Sequence, residues 1–215
     1  DIVQEYGADT LRMYEMFMGP LEDAEPWNTK SIIGIRRFLE KVNDYYGEYI
    51  RYKETYPNAS SGGNILLPLL NKTVKKVSGD IEAFRFNTAI SQLMALLNEL
   101  RRFDQNIRGE EVGGRYKFFD DVADMKKILI LLYPFAPHLT SELWEQSKFD
   151  GQVWEQPWPT YDAEALTEEA VTIAVQVNGK LRGTVQVASG ASESEVAALA
   201  KGNVHVAKHL EGKTL

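Results

Sequence analysis

Apolar residues recur along most of this chain with the three-to-four-residue period of an amphipathic helix. The longest such stretch covers residues 29–56, where Ile35, Phe38, Leu39, Val42, Tyr45, Tyr46 and Tyr49 share one face. Arg36, Arg37, Lys41, Asp44 and Glu48 fall on the other. At 1.5 Å per residue this helix would be about 40 Å long. Pro57 and the NASSGGN run after it predict a loop. Residues 65–78 repeat the pattern, with Leu66, Leu70, Thr73, Val74 and Val77 opposite Lys72, Lys75 and Lys76. Gly79-Asp80 reads as a turn, and residues 81–107 as a third long helix. That helix buries Phe86, Ile90, Leu93, Leu97 and Leu100 and shows Arg85, Gln92, Glu99 and Arg102 to solvent. A helix over residues 120–133 carries Val122, Met125, Leu129 and Leu132. Pro134 and Pro137 then break it, and it restarts with Leu139, Leu143 and Trp144.

The two ends depart from this pattern. Residues 1–6 read as a helix stopped by Gly7. Asp9 occupies the N-cap position of a second short helix carrying Leu11, Met13, Tyr14, Phe17 and Met18. Gly19-Pro20 ends it, and residues 21–28 form an irregular connector. Residues 151–161, rich in Trp and Pro, read as an ordered linker packed on the helices. Beyond them the period changes to two: Val171, Ile173, Val175 and Val177 alternate with Thr172, Ala174 and Gln176. Asn178-Gly179 is a strong hairpin signal, and residues 181–187 supply the returning strand. Ser192 and Glu195 form a capping box for a short helix, followed by a segment over residues 204–210. Two strands and short helices make a poor independent domain, so this second domain is expected to be incomplete.

Composition narrows the possibilities. The 215 residues are enough for one large domain or two small ones with a real core. Having no cysteine excludes disulfide scaffolds, thiolate metal sites and thiol nucleophiles. The apolar runs fall far short of the ~20 residues needed to span a bilayer. Residue 1 is Asp and the first stretch is charged and amphipathic, so no signal peptide is visible and a cytoplasmic protein is expected. The chain opens inside a helical pattern without an initiator Met, and therefore reads as a piece of something longer.

The net charge of −7 argues against a generic basic nucleic-acid binder. Its distribution is uneven, however. Six basic residues face three acids between Lys30 and Lys53, and residues 171–187 contain Lys180 and Arg182 without an acid. These stripes are either solvated helix faces with intrahelical pairs or a track for phosphates. Catalytic signals are lacking: there is no phosphate-cradling Gly-rich loop, and Gly62-Gly63 reads as a flexible loop tip. His205 and His209 are four apart but have no third ligand in view, so no metal is expected. His138, at a helix start, suits a hydrogen-bonding role. Tyr45, Tyr46, Tyr49 and Tyr52 are spaced as core residues.

Several short motifs carry a resemblance. Gly7-Ala8-Asp9-Thr10-Leu11-Arg12 resembles the Gly-Ala-Asp-x-x-Arg element of class I aminoacyl-tRNA synthetases. The stretch from Met16 to Glu22 with Pro26-Trp27-Asn28 is similar to the leucyl enzymes in particular. So are Arg36-Arg37-Phe38-Leu39, Phe86-Asn87-Thr88-Ala89-Ile90, the run from Pro134 to Trp144, and the run from Val175 to Gly183. The resemblance covers essentially the whole chain. It implies a piece of a leucine-specific ligase of bacterial type, whose catalytic motifs and editing domain would lie before residue 1. In that family the helical bundle grips the tRNA body, and the C-terminal domain is expected to touch the tRNA elbow.

The expected fold is therefore mostly α: a class I synthetase-type anticodon-binding helical bundle followed by a small, truncated α+β domain. Residues 1–28 are expected to connect to the catalytic core, 29–161 to form the tRNA-binding bundle, and 162–215 to be a partial C-terminal domain. The resemblance implies tRNA(Leu) and the rest of the synthetase in cis as partners, a monomer, and no membrane. It implies no catalytic site and no cofactor here, ATP and magnesium serving the full-length enzyme. Arg36, Arg37, Lys41, Lys72, Lys75, Lys76, Arg85 and Arg102 are the phosphate-contact candidates on the bundle, with Lys180 and Arg182 on the hairpin. The alternative is a helical protein–protein interaction module.

Overall fold

Gly7, at φ 91° and ψ 155°, lies in a region closed to side-chain-bearing residues and separates the first two helices. These are α1 (Ile2–Tyr6) and α2 (Ala8–Phe17). They open a computed structural model that describes residues 1–23, 26–57, 67–107, 121–162, 166, 170–177, 180–188, 196–197 and 199–200. The long helices follow: α3 (Thr29–Thr55), α4 (Leu67–Glu82), α5 (Phe86–Ile107), α6 (Val122–Leu132) and α7 (Pro137–Gln146). A 3-10 turn, Val153–Glu155, precedes strands β1 (Ala170–Val177) and β2 (Lys180–Ala188). The chain divides into two units, Asp1–Tyr161 and Asp162–Leu215. The helices α1 and α2, which the sequence places in a connector, pack into the first unit with the others.

The core of that unit is the face the sequence marks. Ile35, Phe38, Leu39, Val42, Tyr45, Tyr46 and Tyr49 of α3 are all buried, as are Leu70, Val74 and Val77 of α4. Tyr46 is fully enclosed, and its hydroxyl donates to the Met125 carbonyl at 2.7 Å, tying α3 to α6. Burial drives its phenol well above the usual range, with the neighbouring Tyr49 adding to the effect. The start of α3 is held by Asn28, whose side chain accepts from Lys30 N at 3.0 Å. Tyr14 reaches from α2 to the Asn28 backbone, donating to its carbonyl at 2.8 Å and accepting from its N–H at 3.1 Å. Val122, expected on the apolar face of α6, is instead exposed: it is the first residue of the helix, before the stripe has turned inward. The linker after α7 does pack on the bundle, with Val153 and Pro159 buried. Trp144 Nε1 donates to the Gly151 carbonyl at 3.1 Å.

Two further local expectations fail. No chain reversal occurs at Gly79-Asp80. Helix α4 runs on to Glu82, and the turn falls at residues 83–85, with Phe84 at φ 56°. The reason is Asp80, whose carboxylate is buried and accepts from three side chains instead of lying at an exposed turn tip. Asp9, expected to cap its own helix, lies inside the first turn of α2 and points elsewhere.

In the second unit β1 and β2 pair antiparallel. Val175 pairs with Gly183 and Gln176 with Leu181, so Arg182 is an extra residue at a β-bulge. The Asn178-Gly179 turn, the Ser192 and Glu195 capping box, residues 204–210 with both histidines, and Gly62-Gly63 lie outside the described residues.

Candidate nucleic-acid interface

A buried carboxylate organises part of the basic surface. Asp80, only 1% exposed, sits near the C-terminal end of α4. Thr88 Oγ1 donates to its Oδ2 at 2.6 Å, and Arg85 donates to Oδ1 from Nε at 3.0 Å and from Nη2 at 2.9 Å. Lys76, one turn back on α4, completes the set. Burial by itself would raise the Asp80 carboxyl, but the donors from Lys76, Thr88 and Arg85 outweigh it and hold the group below the usual carboxylate range. The Arg85 backbone N–H also donates to the Asp80 carbonyl at 2.7 Å, which fixes the turn. Two of the ten candidate cations, Lys76 and Arg85, are thus committed to an internal anion. Their side chains nonetheless remain about half exposed, so together with Asp80 they still present a net positive charge to solvent.

Other candidates are also engaged. Arg36 donates from Nε to Glu40 at 2.9 Å and from Nη1 to the Glu5 carbonyl at 2.7 Å, fastening α1 to α3. Arg102 pairs with Glu99 at 3.5 Å one turn away. Arg37, Lys41 and Lys72 are exposed, and Lys75 lies with its Nζ 5.8 Å from the centre of the Tyr161 ring. Helix α3 packs mainly on α2, α7 and α5, whereas α4 packs on α5 and α6. Lys180 opens β2, and Arg182 occupies the bulge of that strand.

A second constellation joins the Gly-Ala-Asp-x-x-Arg element to the proline corner between α6 and α7. Helix α7 begins at Pro137 behind Ala136, which offers no capping side chain. Asp9 supplies one from α2: its Oδ2 accepts from Leu139 N at 2.7 Å and its Oδ1 from His138 N at 3.3 Å. His138 Nδ1 lies 2.7 Å from the same Oδ1. Arg12, one turn further along α2, donates from Nε and Nη2 to the Pro134 carbonyl at 3.0 and 2.9 Å. An open cleft of about 380 Å³ adjoins this clamp, lined by Asp9, Arg36, Glu40, Asp44 and His138 among others. Its charges are of both signs. Among the described residues no group of three His, Asp or Glu side chains is placed to hold a metal ion. No described helix is long and apolar enough to cross a membrane.

Asp80 and Asp9 are the two residues whose roles a linear reading misses. For Asp80 the i, i+4 spacing to Lys76 was a visible signal. For Asp9 nothing local could have named a partner about 130 residues away.

Comparison with known proteins decides the family. Residues 64–197 match the family described as the anticodon-binding domain of tRNA ligase. The chain belongs to that family. All of it aligns with leucine–tRNA ligase of Elusimicrobium minutum at 42% identity and of Chlorobaculum tepidum at 40%. It spans about a quarter of the length of these curated relatives. A solved structure described as the ternary complex LeuRS–tRNA–LeuAMS of Agrobacterium radiobacter K84 (agnB2) superposes over the whole chain. Its TM-score is 0.72 at 26% identity, and 28% of that chain is covered. The mostly helical bundle expected from the resemblance is the fold this anticodon-binding family member has.

Proposed function

We propose that this chain is the tRNA-binding portion of a leucine–tRNA ligase, holding tRNA(Leu) by its phosphates while a catalytic core in cis attaches leucine. The observation that carries this reading is end-to-end alignment, at 40–42% identity, with leucine–tRNA ligases four times as long. The match to a synthetase solved with tRNA supports it. Adenylate chemistry, with its ATP and magnesium, would belong to the remainder of a monomeric cytoplasmic enzyme. The ten basic candidates are proposed as phosphate contacts in three groups: Arg36, Arg37 and Lys41 on α3; Lys72, Lys75, Lys76, Arg85 and Arg102 on and around α4 and α5; and Lys180 and Arg182 on β2. Such contacts position an RNA without reading its bases.

Salt dependence tests the reading. With about four phosphates neutralised, the slope of log affinity against log salt should be about −3 to −4. The double reversal Arg37→Glu with Lys41→Glu should flatten that slope and weaken binding of different tRNAs alike. Reversal of Lys76 is unsuitable, because it would set a second carboxylate against buried Asp80. Salt-independent binding, or binding untouched by the double reversal, would overturn the assignment.

A further inference from the structure

Trp158 and Tyr161 close the first unit and remain 40% and 42% exposed. A Trp and a Tyr in a packed linker would ordinarily turn their rings inward. Here Pro159, between them, is buried and the rings are not. Neither ring is loose. Trp158 Nε1 donates to Ser78 Oγ at 2.8 Å, and the ammonium of Lys75 lies over Tyr161. Ser78 and Lys75 are one helical turn apart on α4, about 4.5 Å along its axis. The indole, the phenol and a cation are therefore held side by side along one strip of α4. The same helix shows Lys72 and Lys76 to solvent. Its acids are exposed Glu82 and Asp80, the latter buried and already met by Lys76 and Arg85.

We propose that Trp158 and Tyr161, with Lys75 beside them, form a stacking site for unpaired nucleotides of an RNA. The proposal rests on the tRNA-binding reading and extends it, from phosphate contacts alone to contacts with base faces. Aromatic rings beside a cationic track are what single-stranded RNA requires: each ring takes a base face and each cation a phosphate. The spacing of one helical turn places the cation within reach of the phosphate of a base lying on the neighbouring ring. Stacking tolerates any base, because every base has a π face, so the site would favour exposed nucleotides over a particular sequence. The positive charge of Lys75 beside the rings favours RNA over an apolar protein surface as the occupant.

The test uses the full 215-residue chain and a short oligouridylate, which has bases to stack and no fold. Wild type should bind it with quenching of tryptophan fluorescence. Trp158→Leu should lower the affinity roughly tenfold or more and abolish most of the quenching, and Tyr161→Leu should act in the same direction. Trp158→Phe, which keeps a stacking ring but loses the bond to Ser78, should stay within about threefold of wild type. Lys75→Ala leaves both rings in place and should weaken binding without removing stacking. It keeps the proposal testable if Trp158→Leu fails to fold. Equal oligouridylate affinity in wild type, Trp158→Leu and Lys75→Ala would overturn the proposal. So would a wild-type chain that binds tRNA but not oligouridylate, which would leave the rings to a protein neighbour. Neither result would touch the α3 phosphate contacts, whose own failure is read from the salt slope of the Arg37 and Lys41 variant.

Discussion

Asp9 accepts the backbone N–H of Leu139 at 2.7 Å across 130 residues of chain. The bond makes a residue of α2 the N-terminal cap of α7, whose own Ala136 can offer none. Arg12 donates to the Pro134 carbonyl from the next turn of α2, so the two ends of the proline corner are gripped by one helix. A carboxylate at a helix N-terminus is favoured both by the free N–H groups and by the helix dipole.

Asp9→Ala should therefore destabilise the bundle by about 1–2 kcal/mol, as loss of a cap does. His138→Ala should cost less, since the main-chain bond to Leu139 survives it. Thermal unfolding of both variants gives the comparison. Equal loss in the two would mean that the imidazole, not the cap, carries the contact.

Asp80→Ala should be the more damaging change, by about 1–3 kcal/mol, because it removes the acceptor shared by Arg85, Thr88 and Lys76. The same carboxylate makes stability depend on pH. Its folded value is depressed, so its contribution is fully present above the ordinary carboxyl range and is lost as pH falls through the lower folded value. Asp80→Asn should accordingly lose less stability than wild type as pH falls below the ordinary carboxyl value of about 4. Parallel acid-unfolding curves would rule this out.

Gly7→Ala should cost about 1–3 kcal/mol by backbone strain alone. No atom lies within 4 Å of the position a Cβ would take, so steric clash is not the cause. Calorimetric melting of this variant isolates the conformational term. A neutral result would mean that the α1–α2 junction relaxes to a different backbone.

Tyr46→Phe should cost about 1 kcal/mol through the lost bond to the Met125 carbonyl. In wild type the raised phenol should stay protonated through the range in which exposed tyrosines ionise. Its contribution is present below the ordinary phenol value of about 10 and disappears only as pH rises through the higher folded one. Ultraviolet titration should show Tyr46 ionising together with unfolding, and a Tyr46→Phe chain should lack that late step.

Helix type and face are decided within a turn or two of chain. The period of Ile35, Phe38, Val42 and Tyr49 therefore named the buried side of α3 before any partner was known. The alternation from Val171 to Val177 likewise named β1. Motif order along the chain was sufficient for the family, because the order is itself a property of the sequence. Electrostatic assignments did not transfer in this way. Arg36, Lys76, Arg85 and Arg102 read as one class of solvent-facing cation. The fold gives each a partner that the sequence does not name, Arg36 a carbonyl of α1, Arg102 Glu99, and Lys76 and Arg85 a buried Asp80, while all four stay exposed.

The amino-acid sequence by itself determined the type and the main buried face of the long helices of the first unit, and to which family the chain belongs. Those properties depend on neighbours three or four positions away or on short runs in a set order. Only the tertiary structure decided that α4 runs past Gly79, that Asp9 serves α7, and that Trp158 and Tyr161 stand exposed along α4. Each of these depends on a polar partner distant in sequence. A carboxylate or an indole N–H has no local period to report where the fold will place its donor or acceptor.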